Sequence, residues 1–143
     1  MTSKQRGMTL IELVVVFAIV AILSASAIAL YKHYLKKATV AEGVSMFSFF
    51  RTAVETFYFE MDNYPASLNS LSHIPTQGNH VIGMEYNPGP PMRNKICFKG
   101  FPAGQNCIEW IWQDVPPQAY WTCKPSETNT SLESIYLPKN CQD

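Results

Sequence analysis

Residues 7–23 read Gly-Met-Thr-Leu-Ile-Glu-Leu-Val-Val-Val-Phe-Ala-Ile-Val-Ala-Ile-Leu, and Glu12 is out of keeping with its neighbours. The 23 positions from Met8 to Leu30 hold that single charge and three hydroxyls, Thr9, Ser24 and Ser26. As a helix the segment would span about 34 Å, one bilayer hydrocarbon core. A carboxylate inside such a segment costs about 2.5–3.5 kcal/mol on insertion scales. Some partner must offset that cost, and the nature of the partner decides what the chain is.

Two ordinary readings leave Glu12 without a reason. In a secretory signal peptide, Lys4 and Arg6 would form the basic region and Ala25-Ser26-Ala27 the small-x-small cleavage site. A carboxylate near the start of the apolar region does not suit that role. A plain single-span anchor accommodates the length but leaves the charge unpaired.

The string itself points elsewhere. A short basic leader ending in Arg6-Gly7, then Met8-Thr9-Leu10-Ile11-Glu12-Leu13 and a long apolar run, resembles the type IV pilin family and its secretion-system relatives. The resemblance implies cleavage between Gly7 and Met8 by a prepilin peptidase/methylase on the cytoplasmic side. It implies N-methylation of the new terminus at Met8, and retention of the apolar segment on the mature chain. It also supplies the missing partner for Glu12, the terminal amine of a neighbouring subunit. Two unit charges about 4 Å apart attract by roughly 4 kcal/mol at an effective dielectric near 20. Desolvation consumes most of that gain, so the pair is expected to set register between subunits more than to add stability.

This sequence departs from the family pattern in three places. Ala21 and Ala29 stand where many members carry glycine and proline, which removes two helix breakers. Met8 replaces the commoner phenylalanine.

After Leu30 the apolar run gives way to a 3.6-residue pattern of Val40, Val44, Phe47, Val54, Tyr58 and Met61, with Lys36, Lys37, Glu42, Arg51 and Glu55 on other faces. Gly43 is its one weak point, and Asp62-Asn63-Tyr64-Pro65 is the first stop signal. Phe49, Phe50, Phe57 and Phe59 make this half more aromatic than one stripe requires, which suits packing under a head or against neighbouring stems. Pro65, Ser67, Asn69 and Ser70 suit a short helical turn. Strand candidates are His80–Tyr86, Lys95–Phe101, Ile108–Gln113 and Ala119–Cys123. In the third, Ile108, Trp110 and Trp112 alternate with Glu109, Ile111 and Gln113, so one face carries both indoles. Residues 102–106 suit a hairpin connection, and Val115-Pro116-Pro117 separates the last two strands.

The expected fold is therefore α+β: a long N-terminal helical spine on an antiparallel sheet of about four strands, as in the pilin fold. The expected divisions are a leader at 1–7, a transmembrane or filament-core helix at 8–30, an amphipathic helix of the head at 31–62, and a globular β head with a disulfide loop at 63–143.

All four cysteines, Cys97, Cys107, Cys123 and Cys141, lie in the last third. An even number in a loop-rich region beyond an apolar segment points to disulfides and an oxidising compartment, and neither close pair has the CxxC spacing of a zinc site. Three pairings are open. Cys97–Cys107 would staple a hairpin of the sheet. Cys123–Cys141 would close residues 124–140 against the last strand. The tail from Tyr120-Trp121-Thr122-Cys123 to Leu137-Pro138-Lys139-Asn140-Cys141 resembles the C-terminal disulfide loop of type IV pilins.

The chain has 11 basic and 11 acidic residues, so bulk charge names no partner. His33, His73 and His80 are scattered, no phosphate loop or catalytic triad spacing is present, and neither cofactor nor metal is expected. The resemblance implies a structural subunit of a type IV pilus serving adhesion, motility or DNA uptake. Its partners would be other pilin subunits, the inner-membrane assembly platform and, before assembly, membrane lipid. Its path would run from a single-pass inner-membrane prepilin with a cytoplasmic N-terminus to an extracellular pilus. Lys4 and Arg6 favour that orientation, but Lys32, Lys36 and Lys37 balance them, so the cysteines carry the argument for an external C-terminus. Two other readings are a minor pilin that captures DNA and a type II secretion pseudopilin. Residues 62–143 hold 5 basic and 7 acidic residues, so a DNA receptor would need Arg93, Lys95, Lys99, Lys124 and Lys139 gathered in one patch. Asn129-Thr130-Ser131 matches a glycosylation sequon but is expected to be an ordinary exposed loop.

Overall fold

The computed structural model describes residues 7–116 and 118–143; Lys4 and Arg6 of the expected leader and Pro117 of the expected break lie outside them. One helix, α1, covers Leu10–Met61, 52 residues. The chain divides into two compact units, Met1–Leu35 and Lys36–Asp143. In the first, every described residue is exposed except His33, which is intermediate. Its helix is long and apolar enough to cross a membrane by length and composition. Ala21 and Ala29 sit within unbroken helix, as their propensity allows.

The second unit builds a core between α1 and a sheet. Strands β1 (Val81–Asn87), β2 (Arg93–Phe98), β3 (Cys107–Gln113) and β4 (Tyr120–Thr122) form an antiparallel meander in sequence order. This is the expected α+β architecture, with strand ends shifted by at most three residues. The largest shift is at β2, which starts at Arg93 and stops at Phe98 because Lys99-Gly100 turns the chain; Gly100 adopts φ +81, a conformation a side chain would strain.

Helix α1 ends as the stop signal predicts. Asp62 takes φ 51, and its N–H donates to the Tyr58 carbonyl at 2.9 Å, closing the last turn in the left-handed conformation that ends many helices. A 3-10 turn follows at Leu68–Ser70.

The buried stripe differs from the expected one. Thr39, Val40, Gly43, Met46, Phe47, Phe50 and Val54 face the sheet, whereas Tyr58 and Met61 are exposed. Periodicity alone extends the stripe to the end of the helix, but past Val54 the strands leave an open cleft beside Tyr58 and do not bury it. Gly43 is not a weak point but a close approach. A Cβ there would collide with the Phe98 ring and stand 3.2 Å from Ile96 Cγ2. Of the four phenylalanines, Phe50 is fully buried and Phe57 packs on the core edge, while Phe49 and Phe59 are exposed.

The core is rich in rings. Phe47 lies between Trp110 and Trp121, and Phe50 approaches Tyr86 with centroids 5.2 Å apart. Both indoles of β3 stand on the helix side, as the alternation implies. Glu109 and Ile111 on the other side are also buried, so β3 is covered on both faces.

Candidate functional site: the N-terminal helix start and the disulfide-closed head

The helix start holds Glu12 by local chemistry. Thr9 precedes the first helical residue, and its main-chain N–H and its hydroxyl both donate to Glu12 Oε2 at 2.8 Å. In return the Glu12 N–H donates to Thr9 Oγ1 at 3.4 Å. This is a capping box, Thr-x-x-Glu, which satisfies helix-start N–H donors that have no carbonyl one turn back to bond. The sequence reading missed it, although the spacing was there to be read. The carboxylate therefore has a partner within its own chain. Gly7 and Met8, the residues flanking the expected cleavage point, are both exposed and lie before the helix.

The head is closed by two disulfides. Cys97 pairs with Cys107, which faces it directly across β2 and β3, Cα atoms 4.1 Å apart. The neighbouring residues bond through Phe98 N–H to Asn106 O at 2.8 Å, so the cysteines take the adjacent position where strands approach more closely. Cys123 pairs with Cys141 across 18 residues of sequence, and both are buried in the core. A loop of that size contributes roughly 3 kcal/mol in the chain-entropy model.

The segment within that second loop completes the sheet. Strand β4 pairs only with Ile111–Gln113, leaving the first half of β3 without a neighbour on that side. Ser131 and Leu132 fill the gap by donating their N–H groups to the Cys107 carbonyl at 3.0 and 3.1 Å. Thr130 Oγ1 accepts the Glu109 N–H at 3.0 Å, and the Asn129 N–H donates to Glu109 Oε2 at 2.7 Å. Burying the Glu109 carboxylate is tolerable because this N–H and the Arg93 guanidinium, 3.7 Å away, share its charge. The sequon at Asn129 lies on this stretch: Asn129 is exposed, but the hydroxyl of Ser131, the sequon's third residue, already accepts the Cys107 N–H at 3.2 Å and donates to the Cys107 carbonyl at 3.4 Å.

Three of the five head cations are engaged within the fold, while Lys124 and Lys139 are exposed. Arg93 faces Glu109, Lys99 Nζ donates to the Gly78 and Asn79 carbonyls at 3.2 and 3.1 Å, and Lys95 stands between Glu85 and Glu109 in the sheet register. Among the described residues no group of three or more His, Cys, Asp or Glu is placed to hold a metal ion.

Comparison with known proteins agrees with this arrangement at both ends of the chain. The family model "Prokaryotic N-terminal methylation motif" matches residues 2–28. The type IV major fimbrial protein FimA of Dichelobacter nodosus is 46% identical, over 99% of this chain and 99% of its own length. The type IV major pilin protein PilE1 of Neisseria gonorrhoeae is 37% identical, over 100% of this chain and 97% of its own. Prepilin peptidase-dependent protein D of Escherichia coli K12 is 42% identical, over 61% of each chain. With a methylation motif at one end, a disulfide-closed head at the other and end-to-end similarity to major pilins, the chain belongs to the type IV pilin family.

Proposed function

We propose that this chain is a structural pilin subunit that polymerises through residues 8–30 into a type IV pilus and displays residues 63–143 on its surface, the helix at 31–62 joining the two. Cleavage between Gly7 and Met8 by the prepilin peptidase/methylase exposes an amine on Met8, which is methylated. The subunit waits in the inner membrane with its N-terminus on the cytoplasmic side, lipid covering the apolar helix, until the assembly platform moves it into the fibre. The carrying observation is the single carboxylate in the apolar first part of α1, where every residue from Leu10 to Lys32 is exposed. Glu12 then meets the amine of the next subunit, and the capping box keeps its carboxylate oriented until it does. The relatives named as major pilins and fimbrial proteins support a structural subunit over the DNA-receptor and pseudopilin readings. The engagement of Arg93, Lys95 and Lys99 within the fold weighs further against the DNA receptor.

The test separates charge from cap. Glu12→Gln keeps a side chain that can close the capping box but removes the charge, whereas Thr9→Val removes the hydroxyl and keeps the charge. With mature N-termini verified by mass, Glu12→Gln is expected to abolish sheared surface fibres while Thr9→Val only reduces their yield. Normal fibres from Glu12→Gln would overturn the assembly role.

A further inference from the structure

A cleft of about 320 Å³ opens on the head where the end of α1 meets the Trp-bearing strands. Its walls are aromatic: Tyr58 and Phe59 from the helix, Tyr64 from the turn after it, Trp112 from β3 and Trp121 from β4. Tyr58 and Tyr64 stack with centroids 4.7 Å apart, and Trp112 and Trp121 meet edge to face at 5.4 Å, so within each pair one ring braces the other. The one charged residue lining it is Glu55, and no described residue of its lining is basic.

We infer that this cleft is a binding site for a small alkylated ammonium cation, held over the aromatic faces with Glu55 as counter-charge. The reasoning is chemical. Ring faces carry negative potential and attract a cation within about 6 Å of their centroids, most strongly for indoles. A primary ammonium would bring three N–H donors that need acceptors, and this wall offers mainly rings. A fully alkylated ammonium carries charge without donors, so apolar aromatic walls satisfy it. A second carboxylate, Asp114, lines the adjoining groove that shares Tyr64, Met92 and Trp112 with this cleft.

Arg51 supplies the regulator of affinity. Its Nε lies 2.8 Å from Glu55 Oε1, one turn back along α1, and both side chains are about half exposed, at 57% and 45%. It lines the neighbouring groove and not this cleft. A bound cation therefore competes with Arg51 for the same carboxylate, and removing Arg51 should tighten binding. A surface that merely packs on a neighbouring subunit has no reason to respond that way.

The cleft is formed within one chain, so its test uses the full chain in maltoside micelles. Saturation-transfer NMR would compare tetramethylammonium with ammonium and with uncharged tert-butanol at equal concentration. Tetramethylammonium is expected to bind best. Glu55→Gln should weaken it about threefold, Trp112→Ala about tenfold, and Arg51→Gln should strengthen it about threefold. Glu55 and Arg51 are surface residues whose replacement leaves the core intact, so the result does not depend on the Trp112 variant folding. Equal binding of tert-butanol would make the cleft an apolar groove only and overturn the inference. So would no binding, or affinity indifferent to Glu55 and Arg51.

Discussion

Phe47 and Trp110 stack face to face, ring centroids 4.3 Å apart and planes 9° from parallel, and this contact joins the helix to the centre of the sheet. Trp121 closes on Phe47 edge-on at 5.4 Å, so the phenyl ring is held on two sides by indoles from two strands. Phe47→Ala removes the ring from both. It should cost about 3–5 kcal/mol of head stability, as large-to-small aromatic changes in cores do. Denaturant unfolding followed by tryptophan fluorescence would measure it, and a loss under 1 kcal/mol would show that the stack is not central.

Gly43→Ala tests the close approach of helix and sheet. Alanine favours a helix over glycine by about 1 kcal/mol, so propensity alone forecasts stabilisation. The new methyl would run into the Phe98 ring, which is fully buried and has nowhere to go. Overpacking of this kind costs about 1–3 kcal/mol, so the expected net effect is destabilisation. A higher melting temperature for the variant would contradict the packing described.

Asn94 sits in β2 at zero exposure, and neither its amide nitrogen nor its amide oxygen has a hydrogen-bond partner. It faces the helix side, in register with Tyr86 and Trp110. An unsatisfied buried amide costs about 1–3 kcal/mol, and valine suits a strand better. Asn94→Val is therefore expected to raise the melting temperature. A fall would reveal a polar partner, such as a buried water, that the substitution strands.

Tyr86 gives the head an alkaline limit. Burial, then the neighbouring Tyr64, push its hydroxyl from 10.0 up to about 12, and that hydroxyl donates to the Pro65 carbonyl at 2.9 Å. The folded state thus holds this proton more tightly than the unfolded chain does. Its contribution to stability is complete below pH 10 and is lost as pH rises from 10 towards 12. Stability measured between pH 9 and 12 should fall more steeply for the native chain than for Tyr86→Phe. Parallel curves would show that Tyr86 is not the group responsible.

Much of the outline was legible because it is local. The apolar run, the stop at Asp62–Pro65 and the period-2 alternation of β3 each depend on near neighbours along the chain. Glu12 is legible as an anomaly, whereas its local partner Thr9 is fixed by the helix-start geometry that brings their bonds together. The spacing of a capping box is easily passed over inside a segment read for its hydrophobicity.

The sequence by itself determined a long helix with an apolar first half, four strands after it, and a carboxylate where only a specific partner makes it tolerable. Those features follow from residue-by-residue preference and periodicity. Tertiary structure alone decided which helix positions meet the sheet, which cysteines join, and how residues 128–132 supply the edge that β4 leaves open. Each of these joins residues far apart along the chain, and local preferences accept several such arrangements equally well. Only simultaneous packing selects one, as when Phe98 settles against Gly43 and leaves room for nothing larger.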